Sequence, residues 1–245
     1  MEEIALKAHE IFNLGGYPIT NSLFQTFLVS AFLIVLSLIF SRKIKIVPGK
    51  IQSAVEMGME WLLGLMESML GSMKMAEQYF PLVATIFILI MVSNLSGILP
   101  GVGSFVVYNQ GEHIPIFRSP AADLNFTLAF AIISVITANI IGMTSVGIFT
   151  HISKFLNFKN PIAFFIGLLE LISELAKILS LSFRLFGNVF AGEVLLIIMF
   201  SLAPYIIPLP FLFLEIFVGL IQAFIFAILT LVSIVLHTAT HGDGH

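Results

Sequence analysis

The sequence predicts an all-α integral membrane protein with about five membrane-spanning helices and one interfacial amphipathic helix. Of its 245 residues, 58% are hydrophobic and only 10% are charged, and the mean hydropathy is +1.07. Soluble domains are about 45–50% apolar and about 25% charged, so lipid surrounds most of this chain. The apolar residues also fall into long runs, which sets the number of spans.

Five apolar stretches reach the length of about 20 residues that a spanning helix needs. They cover about 22–40, 79–99, 124–150, 161–202 and 209–240 of a single polytopic membrane domain, 1–245. The stretch 161–202 has 42 residues and would form a helix of about 63 Å, twice the hydrocarbon thickness of about 30 Å. No proline lies between Ile162 and Ala203, which favours one strongly tilted helix over two spans. The last stretch is also longer than a perpendicular span requires.

Residues 51–74 predict the amphipathic helix. At 100° per residue the polar residues fall within about 40° of one line, and they are Gln52, Glu56, Glu60, Glu67 and Lys74. The opposite side carries Trp61, Leu62, Leu65 and Met69. Such a helix lies at the membrane surface; a sixth span is the alternative.

Basic residues in the loops predict the orientation. They gather after the first span (Arg42, Lys43, Lys45, Lys50) and after the third (Lys154, Lys159), whereas loop 100–122 has only Arg118. The N-terminus is therefore expected outside and the C-terminus in the cytoplasm. The acidic start does not resemble a signal or transit peptide, which favours a bacterial plasma membrane.

Composition excludes several classes of protein. The absence of cysteine excludes disulfides, thiolate metal sites and thiol catalysis. The net charge of −3 without a basic block gives no indication of a nucleic-acid partner. No cofactor or metal is expected; His237, His241 and His245 could bind a metal, but a polar chain end explains them better.

Ionisable residues inside the last two spans are the strongest functional signal, since such residues are rare and usually functional. One stripe of the fourth span, within about 40° of a line, carries Glu170, Glu174, Lys177, Arg184 and Asn188. Glu193 faces elsewhere, about 140° from Glu170. On the last span Glu215, Gln222 and Ser233 share a face, with Thr230 and His237 at its edge.

Most of these residues also have a structural interpretation. Glu174 and Lys177 could be a plain ion pair, and Glu170 could be solvated near the cytoplasmic loop. For His237 a solvated position near the chain end is the better explanation, and helix N-capping explains Asp123. For Arg184 the alternative, a purely structural cation, is a poor explanation, because a central arginine costs about 2.5–3.5 kcal/mol on insertion scales and stays protonated.

The segment LSLSFRLFGNVFAGE at 179–193 resembles the signature of subunit a of the F-type ATP synthase. Segments beginning at Tyr79, Pro120 and Leu220 are similar to that family in order and spacing, so the resemblance covers about residues 20–236. It implies a membrane subunit without a catalytic site of its own. The implied partners are a ring of c subunits, the peripheral stalk subunit b, the lipid bilayer and a transported proton.

The resemblance also implies roles for individual residues. Arg184 would be the essential charge that faces the c-ring carboxylates, with Asn188 and Gln222 beside it. Glu170 would belong to the cytoplasmic half-channel, and Glu193 with Glu215 to the half-channel open to the other side. The residues in supporting positions would be Ser180, Glu174, Lys177, Asp123 and His237.

Two departures from the family pattern concern the proton path. Many bacterial members have His at 215 with Glu at 193, and mitochondrial members reverse the pair, whereas here both are Glu. Ile178 stands where proline is common. We expect Glu193 and Glu215 to form a coupled pair, although contact between them requires offset or tilted helices.

Three other classes of protein compete with this interpretation. Many secondary transporters show internal repeats, and none is visible in this sequence. An intramembrane enzyme would need a catalytic constellation that the central spans lack, and a structural subunit would not need Arg184. The sequence leaves the ion open between proton and sodium, and it leaves the ring stoichiometry open.

Overall fold

The computed structural model describes residues 8–99, 105–109, 112–148, 151, 161–203 and 206–238, where six long helices dominate. They are α1 (Asn21–Arg42), α2 (Lys50–Leu70), α3 (Met73–Ile98), α4 (Leu124–Val146), α5 (Pro161–Leu202) and α6 (Pro208–Thr238). All except α2 are long and apolar enough to cross a membrane. The predicted all-α membrane fold with five candidate spans is therefore confirmed.

The helix boundaries follow local sequence signals. α5 is one unbroken helix of 42 residues, as the absence of an internal proline predicted. α4 ends earlier than the predicted stretch 124–150, because Gly147 adopts a positive φ of 99°. α3 begins at Met73, ahead of the uncharged run, and accommodates Pro81 inside the helix. The predicted ends at 149–150 and 239–240 lie outside the described residues.

α2 has the amphipathic character that the sequence predicted, but it is shorter than 51–74. Gly71 adopts a left-handed φ of 70° and ends the helix, so that Lys74 belongs to α3. Leu62 and Met66 are buried in a cluster with residues of α3 and α6, and the ring of Trp61 lies 5.5 Å from that of Phe224. Its location at the membrane surface remains a prediction.

Two short β-hairpins were not predicted. β1 (Glu10–Leu14) pairs with β2 (Tyr17–Thr20), and β3 (Val106–Asn109) pairs with β4 (Glu112–Pro115), both antiparallel. Gly15 and Gly16 supply the positive φ values, 61° and 94°, that a two-residue hairpin turn requires. Both hairpins adjoin the end of the bundle where α1 and α4 begin and α3 ends.

α6 lies at the centre of the bundle, between α3, α4 and α5. Half of its most apolar window (50%) is buried, compared with 11% for α5 and 11% for α1. α5 therefore turns one face towards the core and presents the other outward. The polar stripe of this helix lies at the boundary between the two faces.

Candidate functional site: two polar clusters on either side of Arg184

Arg184 is exposed on the outward face of α5. Among the described residues its only hydrogen bond runs from Nη2 to Oγ of Ser180, at 3.4 Å, and it has no ion pair there. Gly187, one turn further on, has open space around its Cα, so the helix surface beside the guanidinium is flat. An arginine in this setting is open to a partner outside the chain.

Glu193 and Glu215 meet beyond Arg184, in the half of the bundle that contains the C-terminal end of α5. Oε2 of Glu193 lies 3.7 Å from Nε of Arg118, and Glu193 is close enough to Glu215 for the two charges to interact. Glu215 reaches across from α6 to Gly192, where a Cβ would lie 2.9 Å from its Oε1. α5 and α6 are therefore offset enough for Glu215 to reach the turn of α5 that carries Glu193.

Polar groups continue from Glu215 towards the level of Arg184. Oε2 of Glu215 is buried without a hydrogen-bond partner among the described residues, and a cavity of about 10 Å³ adjoins it. Nδ2 of Asn188 donates to Oε1 of Gln222 at 2.9 Å, and Nδ2 of Asn94 donates to the carbonyl of Gly219 at 2.8 Å. Polar atoms therefore extend from Glu193 and Glu215 to Asn188, one turn from Arg184, and the cavity among them has space for about one water.

Asp123 acts as a helix cap, as predicted, and also joins two helices. Its Oδ1 accepts from the backbone N–H of Asn125 at 2.9 Å, which caps α4. The hydroxyl of Ser22, at the start of α1, donates to its Oδ2. This carboxylate thus fixes the N-terminal ends of α1 and α4 relative to each other.

A second cluster lies in the other half of the bundle, around the buried Glu174. Nζ of Lys177 donates to its Oε1 at 2.6 Å, and Nδ2 of Asn139 donates to its Oε2 at 3.2 Å. Nε2 of His237 lies 3.5 Å from the same Oε1. His151 donates to Oδ1 of Asn139 at 3.1 Å, and its ring lies 5.4 Å from that of His237.

The cluster around Glu174 corrects two interpretations that were made from the sequence. His237 is only 2% exposed, so its interpretation as a solvated residue was wrong: α4 and α5 cover it. Glu174 and Lys177 do form an ion pair, but α4 and α6 contribute further partners, so it is not a plain one. Glu170 is half-buried one turn before Glu174.

A cavity of about 340 Å³ links this half of the bundle to Arg184. Its walls include Lys177 and Arg184 and five hydroxyl side chains, those of Ser134, Ser173, Ser180, Thr230 and Ser233. The hydroxyls of Ser134 and Ser233 are buried with no hydrogen-bond partner among the described residues. At about 30 Å³ per molecule the cavity has room for on the order of ten waters, which would satisfy these groups.

Sequence reasoning missed several polar residues of the two clusters. Arg118 was noted only as a loop charge, although it is 7% exposed and meets Glu193. Asn139, the amide in an otherwise apolar stretch of α4, gave a usable signal. His151 gave none, because only the packing of α4 against α6 shows that it lies beside His237. The predicted tail histidines at 241 and 245, and the loop lysines at 154 and 159, lie outside the described residues.

Comparison with known proteins shows the family to which the chain belongs. The family model described as ATP synthase A chain matches residues 23–234. The chain belongs to this ATP synthase subunit a family. "ATP synthase subunit a" of Moorella thermoacetica is 36% identical over 225 residues, which cover 92% of this chain and 94% of the relative. The protein of the same name from Campylobacter fetus is 34% identical, with 86% and 87% covered.

"ATP synthase subunit a 3" of Pelobacter propionicus is 36% identical, covering 85% of this chain and 83% of the relative. Subunit a family membership confirms the resemblance found in the sequence and, with the five apolar helices, makes this a multi-pass membrane protein of an ATP synthase. It also implies a complex with other subunits of that enzyme. The roles of individual residues are a separate question.

Proposed function

We propose that this chain is the proton-translocating stator subunit of an F-type ATP synthase, with two aqueous half-channels separated by Arg184. The observation that carries the proposal is the position of Arg184, exposed on α5 between two separate polar clusters. Along the helix it lies ten residues from Glu174 and nine from Glu193, about 15 and 13 Å. Neither cluster reaches past this arginine on α5.

The surface around Arg184 suits a rotating partner. Leu169, Phe183 and Ile198 lie within about 100° of Arg184 around the helix and are exposed, and the bare Gly187 lets another helix approach closely. A ring of c subunits, apolar apart from one carboxylate per subunit, would complement a surface with one fixed cation. A lone transporter would have no need to present its central charge outward.

The proposed mechanism follows from charge and burial. A ring carboxylate in lipid is neutral, because burial disfavours its charged form, whereas beside Arg184 the charged form is favoured. A proton taken up through Glu193 and Glu215 must then travel round with the ring and leave through the cavity beside Ser180 and Lys177. Each proton brings about 2.3 kcal/mol per 100 mV of membrane potential.

Asn188 and Gln222 flank this path, and Glu170 would serve the cytoplasmic opening. Asp123 supports the outer half by holding α1 against α4. The chain would carry no catalytic site of its own, and subunit b would hold it against rotation. Residues of the ring would decide between proton and sodium as the transported ion.

The proposed location is a bacterial plasma membrane. The N-terminus and the two hairpins would face outward, and the C-terminus and the basic loops would face the cytoplasm. Under this orientation the Glu193 cluster opens outward and the Glu174 cluster opens to the cytoplasm. α2 would lie along the cytoplasmic surface against α3.

Replacing Arg184 by alanine tests the proposal. We expect the complex to assemble and hydrolyse ATP, but to lose ATP synthesis driven by a proton gradient in reconstituted vesicles. Arg42→Ala, at the exposed end of α1, is the matched control and should retain synthesis. Wild-type synthesis by Arg184→Ala would overturn the proposed role.

A further inference from the structure

The cluster around Glu174 has a feature that a plain ion pair lacks: two acceptor atoms face each other. Nδ1 of His237 lies 2.6 Å from the carbonyl oxygen of Ser233. A carbonyl can only accept, so Nδ1 carries a hydrogen. In the neutral ring Nε2 is then a bare acceptor, and it points at Oε1 of Glu174 from 3.5 Å.

One additional proton resolves this contact. On Nε2 it makes the ring an imidazolium that faces a carboxylate; on Oε1 it makes a carboxylic acid that donates to Nε2. Lys177 donates to the same Oε1, so the site holds either one net positive charge or none. The pair can therefore gain and lose a proton without rearrangement of the helices.

The protein is built to bring these groups together. At Gly142 of α4 a Cβ would lie 2.8 Å from Cβ of His237 and 2.9 Å from Cε1 of His151. Only the absence of a side chain at 142 lets both imidazoles approach α4 beside Asn139. On the far side of α6, α3 contributes apolar residues and the phenol of Tyr79 to the neighbouring cluster. Among the described residues the ionisable groups near the site are therefore Glu174, Lys177, His151, His237 and Tyr79, with Glu170 one turn away on α5.

The site also adjoins the cavity that leads to Arg184. Lys177 and Ser233, which contact Glu174 and His237, are themselves part of the cavity wall. Water in the cavity would connect the pair to the arginine. His151 lies on the opposite side, just past the end of α4 at Gly147.

We propose that Glu174 and His237 form the proton-exchange site of the inner half-channel, with His151 between the pair and the cytoplasm. In the direction of synthesis, a protonated water in the cavity gives its proton to the pair, forming an O–H or N–H bond. That bond then breaks and the proton passes to water on the cytoplasmic side. This inference rests on the proposed function, and it places the exchange one turn deeper than Glu170.

The test uses inverted vesicles that carry the whole complex, in which the cytoplasmic face is in contact with the bulk buffer. Passive proton conduction after removal of the catalytic head, and ATP-driven pumping before it, are measured for Glu174→Gln and His237→Gln. Positioned acid–base groups usually contribute about 100-fold or more; because water in the cavity offers a bypass, we expect a loss of roughly tenfold. The dependence of the rate on bulk pH should also flatten, because the variants lack one of the two groups that exchange the proton.

Matched controls are Glu60→Gln on α2 and His9→Gln in the N-terminal segment, both of which should conduct normally. Should Glu174→Gln fail to assemble, Glu174→Asp, which keeps the charge, and His237→Gln are compared in the same way. Wild-type rates in the variants, or a loss that is uniform over pH and so reflects a structural ion pair, would overturn the inference. Arg184→Ala is measured in parallel: if it loses synthesis while these variants conduct normally, the proposed function stands and only the exchange site is wrong.

Discussion

Replacing Glu193 and Glu215 by glutamine, singly and together, tests whether the two carboxylates share one outer path. Two nearby carboxylates in a poorly solvated site cannot both ionise freely, and here they are close enough to interact. We expect each single variant to lower the rate of proton pumping. The double variant should be little slower than the slower of the two singles.

Arg118 makes the two carboxylates unequal. Charges about 4 Å apart attract by about 4 kcal/mol at an effective dielectric constant of 20, and Nε of Arg118 lies 3.7 Å from Glu193, whose side chain is 31% exposed. Solvent screening reduces the net stabilisation of such a partly exposed pair to about 1 kcal/mol at most. We therefore expect Glu215, which has a buried oxygen that lacks a partner among the described residues, to exchange the proton more readily than Glu193, which is paired with Arg118.

We therefore expect the rate of proton pumping to fall most in Glu215→Gln. Since about 1.4 kcal/mol corresponds to a factor of ten, a difference of about 1 kcal/mol leads us to expect that Glu193→Gln is slowed up to about fivefold less than Glu215→Gln. The assay is the initial rate of ATP-driven proton uptake by inverted vesicles, analysed as a double-mutant cycle, with Glu60→Gln as control. Multiplying losses, or a greater loss at Glu193, would refute this division of roles.

Three further substitutions test the arrangement around Arg184. Glu170→Gln should slow proton exchange on the cytoplasmic side without preventing assembly, and normal pumping over about pH 6–9 would show that Glu170 is merely solvated. Arg184→Lys should fail in ATP synthesis almost as fully as alanine, because lysine can lose its proton in a dry site and has a different donor geometry; substantial synthesis would show that any cation suffices. Glu215→His, the residue of many relatives, should keep substantial pumping activity, and complete loss would show that this chain requires a carboxylate there.

The sequence predicted the parts of the fold that depend on local chemistry. Uninterrupted apolar runs located five helices, the missing proline made α5 continuous, and Pro120 followed by Asp123 predicted a capped helix start. The Gly15-Gly16 pair is typical of a hairpin turn, but the sequence analysis considered only the long apolar runs and did not predict this hairpin. Such predictions succeed because each rests on neighbours along the chain.

Contacts between distant segments could not be predicted in the same way. Arg118 and Glu193 are 75 residues apart, and Glu174 and His237 are 63 residues apart, so only the crossing of helices brings them together. His237 therefore resembled a polar chain end. The stripe on α5 identified the reactive helix, but the partners of each charge depend on how α4 and α6 pack against it.

Gly142→Ala gives a test of this packing that leaves every ionisable group in place. A Cβ at 142 would lie 2.8 Å from Cβ of His237 and 2.9 Å from Cε1 of His151, closer than van der Waals contact allows, so α4 and α6 must move apart. Overpacking of this kind costs about 1–3 kcal/mol. We expect a lower melting temperature of the purified complex and slower proton conduction with a changed dependence on bulk pH.

Gly64→Ala on α2 is the matched control, since a Cβ there meets nothing within 4 Å. Alanine in an open helical position stabilises by about 0.5–1 kcal/mol, so this variant should melt at the same or a higher temperature and conduct normally. If Gly142→Ala behaved like Gly64→Ala in both measurements, the close approach of the two imidazoles to α4 would have no role in proton exchange. A lower melting temperature with an unchanged pH dependence would assign Gly142 to helix packing alone.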